Sequence, residues 1–128
     1  MLAATRWAAC GVDATTVDYR LSANGLSADL DEMLAGWSAM LERIRALQPL
    51  TVAEAEPAAR ALFERYLARR ALRTGQSGAL ALRHLATAVS QDWVALLVFG
   101  AKRSLLTLCG AIAATFLPNA LIRLVVAR

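Results

Sequence analysis

The sequence predicts an all-α protein with three amphipathic helices, a C-terminal apolar helix and a short irregular or β-like N-terminal arm. Apolar residues recur at intervals of three and four through the middle of the chain, as one face of a helix requires. A second observation is the segment 104–122, SLLTLCGAIAATFLPNALI, which contains no charged residue. We divide the chain into the arm (1–26), a helical domain (27–101), the apolar segment (104–122) and a tail (123–128).

The composition is more apolar than that of an average globular chain. Hydrophobic residues make up 58% of the sequence and charged residues 19%, against about half and about a quarter in typical domains. Residues 1–56 hold eight acids and four arginines, a net charge of −4, whereas residues 57–128 hold two acids and ten basic residues, a net charge of +8. The second half is therefore expected to face phospholipid headgroups or nucleic acid, unless the first half neutralises it.

The arm contains one short alternating pattern. Val17, Tyr19 and Leu21 alternate with polar residues, and Asn24 and Gly25 follow them. This pattern predicts a strand that ends in a turn. A single strand without a partner is not stable by itself, so an irregular arm is the alternative.

The first helix is the clearest element of the sequence. Ser27 is its expected N-cap, acidic residues follow in the first turn, and Pro49 lies just beyond its end. Its apolar face fits heptad positions a and d, which predicts a coiled-coil contact with a protein partner or a second copy of the chain. The alternative is packing against the chain's own helices. The face consists of Leu30, Met33, Trp37, Met40, Ile44 and Leu47.

The second helix is expected to begin between residues 52 and 57 and to end at Gly75. Thr51 and Glu54 have the spacing of a capping box, and Pro57 also suits a first turn. Basic residues of this helix, with the two that precede the apolar segment, are the best candidates for contact with an anionic surface. They are Arg65, Arg69, Arg70, Arg73, Lys102 and Arg103.

The third helix is expected over residues 79–100, because Leu82, Leu85 and Val89 step by three or four residues. His84, the only histidine, falls roughly opposite this stripe, and we expect it to be solvated. One histidine without a nearby cysteine or acid cluster makes neither a metal site nor a catalytic triad. The glycines form no phosphate-binding loop. The sequence therefore predicts no catalytic residue, cofactor, metal or small-molecule substrate.

The apolar segment matches the thickness of a bilayer, because its 19 residues would make a helix of roughly 28 Å. Lys102 and Arg103 precede it and a Pro-Asn pair interrupts it near its end, so a membrane crossing is marginal. Gly110 and Ala114 have the spacing through which small residues let membrane helices pack. The alternative is a helix buried in a soluble assembly.

Together these features predict a non-enzymatic subunit of a larger assembly, anchored in a membrane by residues 104–122. It would be a structural or adaptor component of a membrane, secretion or virion complex, with protein partners or further copies of itself. Basic residues before the apolar segment outnumber those after it, which favours a cytoplasmic helical domain. The alternatives are a soluble self-assembling protein that binds nucleic acid through its arginine-rich helix, and a small pore-forming or lysis protein.

Overall fold

The computed structural model describes Ala14 and residues 29–116, and these residues form four helices. The helices are α1 (Leu30–Leu47), α2 (Pro49–Arg73), α3 (Gly78–Val98) and α4 (Ala101–Phe116). The described residues contain no strand, which confirms the all-α prediction. The predicted arm apart from Ala14, and the apolar segment and tail after residue 116, lie outside the described residues.

Asp29 begins α1. Its Oδ1 atom accepts hydrogen bonds from the backbone N–H groups of Asp31 and Glu32, each at 3.0 Å. Those two acids also lie at the positive end of the helix dipole. The predicted cap, Ser27, is therefore wrong, because an aspartate stands closer to the first apolar residue of the helix. The predicted end of the helix just before Pro49 is confirmed.

The second helix, α2, begins at Pro49, earlier than the predicted start between 52 and 57. Proline suits a first turn, since its missing N–H would have no intrahelical partner there. The predicted capping box is wrong, because Thr51 donates its hydroxyl to the side chain of Gln48 at 3.3 Å. Pro57 lies inside the helix, where it leaves one carbonyl of the preceding turn without its usual N–H partner.

Two glycines with positive φ form the turns after α2 and α3. Gly75 has a φ of 74°, and the N–H of Gln76 donates to the carbonyl of Ala71 at 2.9 Å, which closes the end of α2. Gly100 has a φ of 138° and separates α3 from α4. Residues with a side chain rarely adopt these conformations. The predicted helix ends at Gly75 and Gly100 are therefore confirmed.

The third helix, α3, is broken at Asp92. The φ of −162° and ψ of 93° at this residue are extended rather than helical. Its Oδ1 atom accepts a hydrogen bond from the N–H of Ala95 at 2.9 Å, as an N-cap does. The helix predicted over 79–100 is confirmed as an element, but it consists of two segments.

Small residues form most of the core. The pair α2 and α3 has the most extensive contact, α1 packs on α2, and α4 packs mainly on α3. Leu67 is the largest fully buried side chain among the described residues. Helices that meet through alanine approach closely. Many of the large apolar side chains lie at the surface instead. The completely buried alanines are Ala61, Ala68, Ala71, Ala81, Ala88 and Ala111.

The first residue of α3 touches the backbone of α4. A Cβ atom on Gly78 would lie 2.5 Å from both the carbonyl oxygen of Ala111 and the backbone nitrogen of Thr115. Gly110 lies against α2, and Ala114 is buried. The small residues expected to pack a membrane helix therefore pack α4 against its own chain.

Within the described part of the chain, no helix combines the length and the apolar character that a membrane crossing needs. Only residues 104–116 of the predicted membrane segment belong to α4. The prediction of a transmembrane helix therefore has no support from these residues.

Candidate functional site

Four arginines lie close together where α2 packs beside α4. We call these arginines, with the open space between them, the arginine groove. Arg65, Arg69 and Arg73 follow at intervals of four along α2, so they share one edge of the helix. Arg103 extends from the first turn of α4. Three of the four line an open groove of about 210 Å³. The residues that line it are Arg69, Leu72, Arg73, Arg103, Leu106, Thr107 and Gly110.

Hydrogen bonds hold Arg65 in place. Its Nη1 donates to the hydroxyl of Ser104 at 3.1 Å and to the carbonyl of Gly100 at 3.3 Å. Its Nη2 donates to the carbonyl of Phe99 at 3.4 Å. These carbonyls follow the C-terminal end of α3, where the helix dipole is negative and favours a cation. Arg65 therefore fixes α2 to the turn between α3 and α4.

The cations of the arginine groove disfavour one another. Burial lowers the pKa of Arg65, and the charges of Arg69 and Arg103 lower it further. Burial likewise lowers the pKa of Arg69, followed by the charges of Arg73 and Arg103. Within residues 29–116, no carboxylate forms an ion pair with Arg69, Arg73 or Arg103. The groove therefore concentrates positive charge that an anion would neutralise.

The structure brings together four of the six residues predicted to bind an anionic surface. Arg70 is only 5% exposed and lies within the bundle. Lys102 is exposed but does not line the groove. The anion-binding site that the geometry supports is consequently smaller and more concave than a helix surface covered with arginines.

Large apolar side chains are also exposed on α4, on the flank away from the arginine groove. Leu105, Leu108, Ile112 and Phe116 lie three or four residues apart, hence on one side of the helix, and we call them the α4 face. Leu105 is 62% exposed and Phe116 is 82% exposed. Leu106 is as exposed as Leu105, and it lines the arginine groove. An apolar face and a cationic groove thus occupy different sides of one exposed helix.

A second groove, of about 250 Å³, lies between α3 and α4 and is apolar. Its lining includes Leu85, Val89, Trp93, Leu96 and Leu97 of α3. From α4 it receives Ala101, Ser104, Leu105 and Leu108, none of which lines the arginine groove. The two grooves therefore run along opposite flanks of α4.

A buried carboxylate joins α2 to α3. Glu64 is 2% exposed, and its Oε1 accepts a hydrogen bond from Nε of Arg60 at 2.9 Å and lies 2.7 Å from Nη2 of the same guanidinium as an ion pair. Its Oε2 lies 2.7 Å from Nδ1 of His84, which is also buried. The expectation of a solvated histidine is therefore wrong. Both carboxylate oxygens have partners, so this cluster ties the two helices together.

Candidate metal ligands do not converge in the described residues. No group of three or more His, Cys, Asp or Glu side chains there could hold a metal ion. Sequence reasoning overlooked the pairing of Glu64 with His84. The available signal was that Glu64 is the only acid between residues 57 and 91 and that His84 is the only histidine.

The predicted partner-binding face of α1 contacts the chain's own core in its first half. Leu30 is buried and Met33 packs against the same cluster. Trp37 stacks on Phe63 of α2, with ring centroids 4.5 Å apart. The later members are less covered: Met40 and Ile44 are half-buried and Leu47 is exposed. Binding of a partner through this face stays a prediction.

Comparison of the chain with protein-family models, with curated proteins and with solved structures finds no match. The geometry of the arginine groove and of the α4 face is therefore the basis for assigning a function.

Proposed function

We propose that this chain is a non-enzymatic helical subunit of a larger assembly, and that it docks on the surface of an anionic membrane through α4. The observation that carries the proposal is that α4 presents the apolar α4 face on one flank and the arginine groove on the other, with the exposed Leu106 at the edge of the groove. Apolar side chains gain free energy at the boundary between headgroups and acyl chains, and cations gain it from anionic headgroups. Docking by one helix face needs no helix that crosses the bilayer.

The placement of small and large apolar residues also favours lipid contact. Helices that pack through alanine, with large apolar residues outside, are typical of proteins with apolar surroundings. Complete transfer of a Leu or Phe side chain from water contributes about 1.5–3 kcal/mol. An arginine near an anionic leaflet contributes about 1 kcal/mol. Leu105, Phe116 and the cations of the groove together therefore suffice for reversible binding.

Nucleic-acid binding is the second candidate, because Arg65, Arg69 and Arg73 form a row along α2 that could follow a phosphate backbone. The α4 face argues against it. A nucleic acid seated on the arginines would leave Leu105 and Phe116 in water, whereas a membrane takes up both kinds of side chain. The membrane is therefore the better fit.

Co-sedimentation of the full chain with vesicles tests the proposal. We expect binding to vesicles that contain phosphatidylglycerol and not to pure phosphatidylcholine, with affinity falling as salt screens the headgroups. The double variant Leu105→Ser/Phe116→Ser should bind at least about tenfold more weakly. The matched control, Leu47→Ser/Leu50→Ser, removes two exposed leucines near the α1–α2 turn and should bind like the wild type.

Three results would redirect the proposal. Equal binding by both double variants would contradict docking through the α4 face. Tight, salt-dependent binding of RNA or DNA without vesicle binding would favour the second candidate. Leakage of a trapped dye from the vesicles would favour a pore-forming protein.

A further inference from the structure

Among residues 29–116, the arginine groove contains more positive charge without a paired carboxylate than one singly charged headgroup neutralises. Arg69, Arg73 and Arg103 line a single open space, and no carboxylate among residues 29–116 pairs with them. We propose that this groove holds the phosphomonoester headgroup of an anionic lipid. The inference rests on the proposed membrane docking and goes beyond it by naming the headgroup.

Guanidinium and phosphate groups have matching geometry. The planar fork of an arginine donates two parallel hydrogen bonds to two phosphate oxygens. A phosphomonoester carries a charge of about −1.5 to −2 and three strong acceptor oxygens, whereas a phosphodiester headgroup carries one negative charge on its phosphate. Three converging guanidinium groups therefore favour the monoester.

Repulsion between the arginines of the groove also favours binding of a doubly charged phosphomonoester. Burial and the charges of Arg73 and Arg103 lower the pKa of Arg69, so its surroundings disfavour its charged form. A dianion between these side chains reverses the repulsion by adding an attractive partner to each. Arg65 is already held by Ser104 and by carbonyls of the α3–α4 turn. It supports the groove as a fixed positive charge.

The apolar neighbours of the groove indicate a lipid rather than a free phosphate. Leu72 and Leu106 line the groove together with the arginines. Leu106 is 62% exposed. A headgroup held by Arg69 and Arg73 consequently leaves its acyl chains beside exposed apolar side chains. A small soluble phosphate would make no use of them.

Vesicles of equal surface potential test this inference. Phosphatidic acid and phosphatidylserine are each mixed into phosphatidylcholine until the measured zeta potentials agree. We expect the full chain to bind the phosphatidic acid vesicles at least about fivefold more tightly. The variant Arg69→Gln/Arg73→Gln should lose this preference. The control Arg43→Gln/Arg83→Gln removes the same charge from exposed positions outside the groove and should keep it.

Each outcome has a distinct meaning. Absence of binding to either vesicle overturns the membrane docking itself. Equal binding of the wild type to both vesicles, or a preference retained by Arg69→Gln/Arg73→Gln, overturns the headgroup inference and leaves the docking intact. Glycerol 3-phosphate is the soluble probe. We expect it to displace the chain from phosphatidic acid vesicles only weakly, and binding as tight as that of the vesicles would overturn the lipid as the source of the phosphate.

Discussion

The Oε2 atom of Glu64 in α2 lies 2.7 Å from the Nδ1 atom of His84 in α3. Arg60, one turn before Glu64, binds the other carboxylate oxygen. The glutamate thereby connects the two helices that have the most extensive contact in the bundle. Because the carboxylate is nearly inaccessible to water, its loss leaves a buried imidazole without its partner.

Glu64→Ala is expected to lower the free energy of unfolding by about 3 kcal/mol, as removal of one member of a buried ionic cluster does. Urea denaturation followed by circular dichroism measures the change. The control is Glu56→Ala, which breaks the ion pair between Arg45 and Glu56 on the surface. Exposed pairs contribute little, so this variant should unfold almost like the wild type. Similar losses in both variants would contradict a structural role for the buried cluster.

Trp37 is expected to stabilise the contact of α1 with α2. It stacks on Phe63 with an interplanar angle of 10°, and removal of a well-packed tryptophan costs about 3–5 kcal/mol. Since Trp37 is only half-buried, Trp37→Ala should cost roughly 2–3 kcal/mol in thermal or urea unfolding.

Trp37→Phe provides the control for that measurement. The Nε1 atom of Trp37 is buried and has no hydrogen-bond partner within the described residues. Phenylalanine keeps a stacked ring and removes this unsatisfied donor, so it should cost much less than alanine. An equal loss in both variants would show that ring stacking does not hold α1 in place.

Substitution by alanine should change the stability of the protein in opposite directions at Gly78 and at Gly36. A Cβ on Gly78 would lie 2.5 Å from backbone atoms of Ala111 and Thr115, and backbone cannot move aside as a flexible side chain can. Gly78→Ala should therefore destabilise the protein by at least about 1–3 kcal/mol. Gly36 in α1 has no neighbour within 4 Å, and Gly36→Ala should stabilise the helix by up to about 1 kcal/mol. A neutral Gly78→Ala in thermal unfolding would contradict the close approach of α3 to α4.

The helices themselves could be predicted because their signals are local. Apolar periodicity identifies α1, and glycines that permit positive φ mark the ends of α2 and α3 at Gly75 and Gly100. The start of α2 was missed because Pro49 serves equally well as a helix stop and as a first helical residue. Sequence spacing alone does not distinguish these two uses of proline.

The buried side of α3 could be predicted only in part from its large residues. In the stripe of Leu82, Leu85 and Val89, Leu85 is buried and Leu82 packs against the core, but Val89 is 53% exposed. Ala81 and Ala88 are completely buried instead, because α3 meets its neighbours through small side chains. His84 is likewise buried, although its position opposite the stripe predicted that it would be solvated. The packing of α2 against α4 likewise decides which arginines of α2 lie near Arg103. No local sequence pattern contains that information.

The arginine groove is expected to reduce stability when no anion is bound. The pKa of Arg69 is lowered in the fold, chiefly by burial, so folding disfavours its charged form at every pH below that lowered pKa. The penalty is therefore present at neutral pH and disappears only in strongly alkaline solution. Arg69→Gln should melt at the same temperature as the wild type or higher. Added salt should raise the Tm of the wild type more than that of the variant, because salt screens the repulsion. Arg83→Gln, outside the groove, should leave this salt response unchanged.

Cys109 allows the docked face to be identified directly. It is exposed on α4, and it lies between Leu105 and Ile112 at helical spacings of four and three. The only other cysteine is Cys10, so Cys10→Ser leaves a single thiol for an environment-sensitive fluorophore. If the α4 face enters the boundary between headgroups and acyl chains, anionic vesicles should raise the emission and shift it to the blue. Neutral vesicles should change neither.

The matched control moves the same fluorophore to α1, in Cys10→Ser/Cys109→Ser/Ala46→Cys. Residue 46 is exposed and belongs to a different helix from the proposed docking surface. Its emission should stay that of a solvated label when vesicles are added. A response at residue 46 without one at Cys109 would place α1 against the membrane and contradict docking through α4. A response at neither position, with the chain still sedimenting with the vesicles, would show that residues 46 and 109 stay outside the apolar boundary and would contradict docking through the α4 face.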